Sequence, residues 1–286
     1  MYNRVGDFLF QMGGEGGGPG ELRLPTGAYW IGEGLIAVPD LQNARTTVFD
    51  EEGKFQNIIP MQVRELRGDL PIEVGKGQFV RRSGVGPIGV GPVNVPDREA
   101  LADYSLPLLE IVNADNEVKR TMGRRRQAHD PIVESFLNSM SIAVAKEEIA
   151  VVFRALNEIR IYTKESGDLK RIVTRPIAFT PQVPHRDNTG RISADVVSMD
   201  ASYDPDGRLW ILTPLYSTQS LNSIDWTEDL LSELMALEVY DEGGHLLSRI
   251  PLPRPFDALT FDPQGDLWLL DARYKAEVVQ YKVVWP

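Results

Sequence analysis

Histidine is the residue type in this chain whose chemistry would be easiest to recognise, because imidazole serves as a metal ligand and as a general base. The three histidines, His129, His185 and His245, are far apart and fall in loops or outer turns. The chain has no Gly-x-Ser-x-Gly nucleophile elbow. It also lacks cysteine, which excludes disulfides, thiol catalysis and cysteine-based metal sites. The sequence therefore predicts no catalytic, cofactor-binding or metal-binding residue, and a structural calcium ion held by Asp and Asn oxygens stays an option.

A run of cations is the first candidate for binding, because five cations and no acid fall within eight residues of a chain with a formal net charge of −11. The five are Lys119, Arg120, Arg124, Arg125 and Arg126. Such a run favours docking on an acidic protein surface or a headgroup, and a solvated loop is the alternative. An acidic chain is a poor general ligand for nucleic acid, which is recognised through neutralised phosphates. We therefore expect other protein subunits as partners, and no nucleic acid.

An acidic segment is the second candidate, because seven acids and no Lys or Arg lie between Leu221 and Leu247. It contains the only convincing helix signal, with Asp225 as the N-cap and an acid three residues later. The following leucines share one face, and we expect them to pack on the sheet beneath. The alternative is that Trp226, Leu230 and Leu234 contact a partner.

Short hairpins recur along the chain and indicate its architecture. Five have the character of an inner strand pair, at 30–38, 73–80, 143–152, 203–212 and 261–270. Four have the character of an outer pair, at 48–58, 111–121, 161–172 and 239–250. Strands of four to six residues with turn signals between them favour a sandwich or a propeller, and the alternation of inner and outer hairpins selects the propeller.

The two ends of the chain each predict a strand without a local partner, at 5–13 and at 276–284. Pairing between them would close the propeller and remove exposed edges. We therefore expect a single all-β propeller domain over 1–286, with five countable blades. Loop insertions are expected near 84–106, 175–194 and 215–233, and a further blade could lie within 60–106.

The first hairpin carries a pattern that resembles a known family. The glycine-rich segment 13–27 (GGEGGGPGELRLPTG) is followed in order by Val38, Asp40, Asn43, Arg45, Phe49, Asp50 and Gly53. Together these residues resemble the NHL-repeat propellers and the related bacterial six-bladed β-propeller proteins. The resemblance implies six blades. For Asp40, Asn43 and Arg45 we expect a bracing role in the hairpin, and anion binding is the alternative.

The favoured function is that of a non-catalytic scaffold that docks on and stabilises a larger protein assembly, such as a membrane complex to which it would be an extrinsic subunit. The resemblance supplies one alternative, a lyase or hydrolase at the channel mouth, and a small-ligand or glycan binder is another. No apolar run reaches the roughly 18 residues that cross a membrane. If Met1 is the native start, the lack of a recognisable signal peptide predicts a cytoplasmic, membrane-peripheral location. A periplasmic or exported location is the alternative that the family implies.

Overall fold

The structure is a computed structural model that describes residues 10–25, 28–30, 34–40, 42–60, 72–75, 77–83, 106–113, 117–217, 234–271 and 277–284. The chain forms two compact units, Met1–Thr121 and Met122–Pro286. Almost every described element is a β-strand. In the described part of the chain, no helix is long and apolar enough to cross a membrane.

Five antiparallel sheets form the blades of a β-propeller, in agreement with the predicted fold class. Sheet I contains β3 (Tyr29–Trp30), β4 (Leu35–Asp40), β5 (Arg45–Asp50) and β6 (Phe55–Pro60). Sheet II contains β7 (Ile72–Gly75), β8 (Gln78–Arg82), β9 (Pro107–Asn113) and β10 (Val118–Arg124). Sheet III contains β11 (Met140–Val144), β12 (Glu148–Phe153), β13 (Glu158–Thr163) and β14 (Leu169–Thr174). Sheet IV contains β17 (Asp200–Tyr203), β18 (Leu209–Pro214), β19 (Met235–Tyr240) and β20 (Leu246–Pro251). Sheet V contains β21 (Ala258–Phe261), β22 (Leu267–Asp271) and β23 (Glu277–Tyr281).

Three smaller elements complete the described structure. A short parallel pair joins β1 (Gly14–Glu15) to β2 (Glu21–Leu22). A short hairpin joins β15 (His185–Arg186) to β16 (Ile192–Ser193) within the insertion expected near 175–194. Helix α1 (Pro131–Leu137) was missed by sequence analysis, although Asp130 caps it and proline stands at its first turn.

The strand pairing follows the hairpins expected from the sequence, since each inner pair and each outer pair falls within one of the five sheets. The predicted closure of the ring joins 276–284 to 5–13, and residues 1–9 and 276 lie outside the described residues. Sheet V is therefore three-stranded in the described part of the chain. Closure and a sixth blade stay predictions, as does the single domain over 1–286.

The inner turns of sheets IV and V are built by one repeated module, Asp-Pro-x-Gly-x-Leu-Trp. The Asp204 carboxylate accepts hydrogen bonds from the backbone amides of Asp206 and Arg208, at 3.0 and 2.9 Å, and from Trp210 Nε1 at 2.9 Å. Asp262 repeats this arrangement, with Trp268 Nε1 at 3.3 Å from its Oδ2. The aspartate thus fixes the turn and the tryptophan of its own hairpin.

The core of unit 2 lies between its sheets. Between sheets III and IV it contains Ala150, Val152 and Ile211, and between sheets IV and V it contains Trp210 and Leu269. The β12 segment 149–153 is completely buried. Because both faces of this strand are covered, its residues form an apolar run instead of alternating with polar residues.

Two polar groups link neighbouring elements within unit 2. The Arg175 side chain, which is completely buried, donates to the Glu238 carboxylate from Nε at 3.0 Å and from Nη2 at 2.9 Å. Nearer the first strands, Asp200 Oδ2 accepts from the Leu259 amide at 3.0 Å. This hydrogen bond joins the first strands of sheets IV and V, and the Ser141 hydroxyl on the first strand of sheet III donates to the neighbouring Met199 carbonyl at 3.3 Å. Desolvation raises the pKa of Asp200 above its usual range.

In unit 1 the glycine-rich segment is held by the residues expected to brace the hairpin. Asp40 is completely buried, and its two oxygens accept from the amides of Arg23 and Leu24, each at 2.9 Å. Asn43 Nδ2 donates to the Gly16 carbonyl at 2.9 Å, and Arg45 Nη1 donates to the Gly17 carbonyl at 3.0 Å. These contacts are those of the bracing interpretation, with the polar groups directed to the backbone.

Candidate functional site

Three arginines at the end of β10 and on β13 form a cationic platform, which we define as Arg124, Arg126 and Arg160. Arg126 Nη2 and Arg160 Nε bind opposite oxygens of the Glu158 carboxylate, at 2.6 and 2.7 Å. Arg160 Nη1 also donates to the Arg124 carbonyl at 3.1 Å. One carboxylate therefore holds two guanidinium groups beside an exposed third arginine.

An aromatic ring supports the platform from below. The Arg126 and Arg160 guanidinium carbons lie 5.6 and 5.0 Å from the centroid of the Phe153 ring, within the range of a cation–π contact. The buried Asn138 side chain exchanges two 2.8 Å hydrogen bonds with the Arg126 backbone. The Arg126 and Arg160 side chains retain 34% and 15% exposure, so both are oriented by the fold and still reach the surface.

The run of five cations is divided by the structure. Arg125 is buried and forms an ion pair with Glu134 of α1 at 3.3 Å, so it does not contribute to a surface patch. Lys119 is exposed and pairs with Glu117 at 2.7 Å, while Arg120 is partly buried on β10. Arg124 and Arg126 remain at the surface. Sequence analysis missed Glu158, Arg160 and Phe153, which lie on other strands and which only the sheet register brings to the run.

The leucine helix expected at 225–234 lies almost entirely outside the described residues, and so do Trp226 and Leu230. Leu234 is described, and it is 5% exposed in the core between sheets IV and V. This position serves core packing, which was the expectation for the leucine stripe as a whole.

A groove of about 660 Å³ lies at the turns of sheets III, IV and V. Three turn segments line it, at 144–148, at 203–205 with Gly207, and at 261–263, together with Lys170 and Glu242. We call it the turn groove. The platform and the turn groove lie at opposite ends of β12, because Glu148 begins that strand and Phe153 ends it. A strand of this length separates its ends by roughly 16 Å.

Two polar side chains that line the turn groove, Tyr203 and Glu148, contact each other. The Tyr203 hydroxyl lies 3.5 Å from Glu148 Oε2, and burial together with the Glu148 charge raises the pKa of Tyr203 well above its usual range. The phenol therefore stays protonated at neutral pH. Glu148 is itself held by Lys170 and by Arg171, whose Nη2 lies 2.9 Å from Oε2.

The three histidines are dispersed, as their positions in the sequence suggest. His129 precedes the capping residue of α1, and His185 Nδ1 lies 3.0 Å from the Val183 carbonyl. His245 Nδ1 lies 3.1 Å from Asp241 in an outer turn, and hydrogen bonds from His245 lower the pKa of that carboxyl. Within the described ranges, no three His, Cys, Asp or Glu side chains are grouped so as to hold a metal ion.

No protein-family model and no curated protein sequence matches the chain. Solved structures do match it. A protein from Bacteroides fragilis has a TM-score of 0.56 at 10% identity, over 94% of this chain and 72% of its own. A member of the DUF4221 family from Bacteroides vulgatus has a TM-score of 0.51 at 10% identity, over 89% and 75%. Virginiamycin B lyase from Staphylococcus aureus has a TM-score of 0.44 at 14% identity, over 92% and 85%. At 10% identity the likeness to the two Bacteroides proteins shows the β-propeller fold alone, and the narrower assignment to the NHL-repeat propellers stays a prediction.

Proposed function

We propose that this propeller is a non-catalytic interaction subunit, which docks on an acidic surface of a larger protein assembly through the arginine platform. The observation that carries the proposal is the fixed pair of guanidinium groups. Arg126 and Arg160 are both held by Glu158 and by the Phe153 ring, and both remain partly exposed.

Preorganisation is the physical reason why this surface suits docking. A flexible arginine loses about 2 kcal/mol of rotamer free energy when it is fixed. In the platform the fold has already fixed two arginines, so less rotamer free energy is lost when a partner binds. Arginine is also among the residues that contribute most to protein interfaces, because its planar fork binds carboxylates at two points.

The charge distribution supports orientation of the partner. The whole chain carries a net charge of −11, which repels an acidic protein at long range. At the platform two guanidinium groups share one carboxylate, and the exposed Arg124, whose carbonyl accepts from Arg160, adds a further positive charge, so an acidic partner is attracted at this position. We therefore expect one favoured docking orientation and an association rate that depends strongly on salt.

The test compares charge-reversed proteins in the cells from which the chain comes. Tagged wild-type protein is isolated at low salt, and its bound proteins are quantified against Arg124→Glu and Arg124→Glu/Arg126→Glu. We expect an acidic partner to be reduced at least tenfold in the double variant and to be released from wild type by about 0.5 M salt.

Two controls separate the loss of docking from misfolding and from a general change in charge. Arg124→Glu changes only an exposed side chain, so its loss of partner would not reflect misfolding. Lys54→Glu/Lys282→Glu alters the net charge by the same amount as the double variant, at exposed sites elsewhere. The proposal is refuted if both platform variants retain the partner as well as this control does.

A further inference from the structure

The turn groove has a net negative charge, and hydrogen bonds and ion pairs within the fold engage only some of its carboxylates. Five acids and two lysines line it. Asp204 and Asp262 are committed to turn amides and to tryptophan, and Glu148 is committed to Lys170 and Arg171. Glu147 and Glu242 are exposed at the rim. A Cβ placed on Gly207 would lie 3.6 Å from Glu242 Oε1, so that carboxylate extends over the turn of sheet IV.

The floor of the turn groove is apolar and aromatic, which is a separate observation from its charge. Tyr203 and Phe261 are partly buried, and Phe261 packs edge-on against Trp210 with the ring centroids 5.2 Å apart. Pro205 and Pro263 are exposed beside them. Rings fixed in this way offer faces that attract cations and that cover aliphatic chains.

We propose that the turn groove binds a basic extended segment of a partner protein. A lysine or arginine of that segment places its aliphatic stem on Tyr203 and Phe261, and its charged end lies next to Glu147 and Glu242. The volume of 660 Å³ is that of a ligand pocket and accommodates a few residues of extended chain. This site shares no residue with the arginine platform, so the inference goes beyond the proposed function and can fail separately from it.

The experiment selects hexapeptides from a random library on immobilised protein at low salt, and it measures the enrichment of Lys and Arg in the bound peptides. We expect severalfold enrichment on wild type and its loss on Glu147→Lys/Glu242→Lys. The matched control is Glu165→Lys/Asp168→Lys, which changes the net charge equally at an exposed turn of sheet III outside the groove. This control should keep the enrichment.

Each other result contradicts the proposal. Equal enrichment on wild type and on Glu147→Lys/Glu242→Lys would show nonspecific attraction to an acidic protein. Bound peptides that lack Lys and Arg would show that the ligand of the turn groove is not cationic. If spermidine displaces the selected peptides at equal concentration, the site recognises amines and not a protein segment. If the same two substitutions abolish a self-association seen by sedimentation, the occupant is a second copy of this chain.

Discussion

Removal of Arg175 should be among the most damaging single changes in unit 2. Its guanidinium donates to Glu238 at two points, to the Val197 carbonyl at 2.9 Å and to Thr213 Oγ1 at 2.8 Å. Arg175→Met removes the buried counter-ion of the Glu238 carboxylate, which is 1% exposed. Glu238 keeps a second partner, since Arg249 Nη2 lies 2.8 Å from its Oε1, with the Arg249 side chain 32% exposed. Breaking a buried ion pair on one side costs about 3 to 5 kcal/mol in the free energy of unfolding, and because Arg249 remains we expect the lower end of that range.

The double variant Arg175→Met/Glu238→Met distinguishes this reasoning from a simple loss of contacts. When both charges are removed, neither remains buried alone, so the loss should be smaller than the sum of the two single losses by about 2 to 3 kcal/mol. Arg175→Lys keeps the charge and loses the fork, and it should fall between wild type and Arg175→Met.

Urea unfolding followed by tryptophan fluorescence measures these differences, because the buried Trp210 belongs to the same sheet as Glu238. The slope of the free energy against urea concentration should stay constant across the series. A loss of less than about 1 kcal/mol in the free energy of unfolding of Arg175→Met, or single losses that simply add in the double variant, would contradict the importance of this buried ion pair.

Three further predictions concern individual groups. Burial alone would raise the pKa of Asp40, but hydrogen bonds from Leu24, Arg23 and Asn43 lower it overall. The Asp40 carboxylate therefore stabilises the folded state above its unfolded pKa, and this stabilisation is lost as the pH falls through its folded pKa. Asp40→Ala should therefore cost about 1 to 3 kcal/mol at pH 7, and the cost should shrink steadily as the pH is lowered from 4, in urea titrations at each pH. Asp200 has the opposite pH dependence, because its raised pKa makes the folded state relatively less stable as the pH rises. Asp200→Asn should therefore gain stability relative to wild type between pH 3 and pH 7. Parallel plots of stability against pH for the two proteins would contradict this. Gly244→Ala should lower the free energy of unfolding by about 1 to 3 kcal/mol, because φ is +85° and the new Cβ would lie 2.5 Å from Val173 Cγ2; a melting temperature equal to that of wild type would exclude the strain.

The blade architecture could be predicted from the sequence because its signals are local. Asp204 and Asp262 begin four-residue turns that specify their hairpins without help from distant residues. The division of the cationic run could not be predicted in this way. Whether Arg125 or Arg126 faces solvent depends on Glu134 and Glu158. These two acids belong to a helix and to another strand, and only the folded structure brings them next to the arginines.

The turn groove was missed for the same reason. Glu147, Tyr203, Glu242 and Phe261 are each 19 to 56 positions from the next in the sequence, and each lies in a turn or at a strand end. Helix α1 is a different case, because its signals are local: Asp130 is the N-cap, and Pro131 stands in the first turn.

The hydrogen bond between aspartate and tryptophan within the hairpins of sheets IV and V has a consequence for the order of folding. Each bond joins residues six positions apart, so it closes a short loop and loses little chain entropy. Such hairpins can form within microseconds, before distant strands meet. We therefore expect the carboxyl-terminal half to acquire its first order from these two hairpins, and the slower steps of refolding to be those that bring separate sheets together.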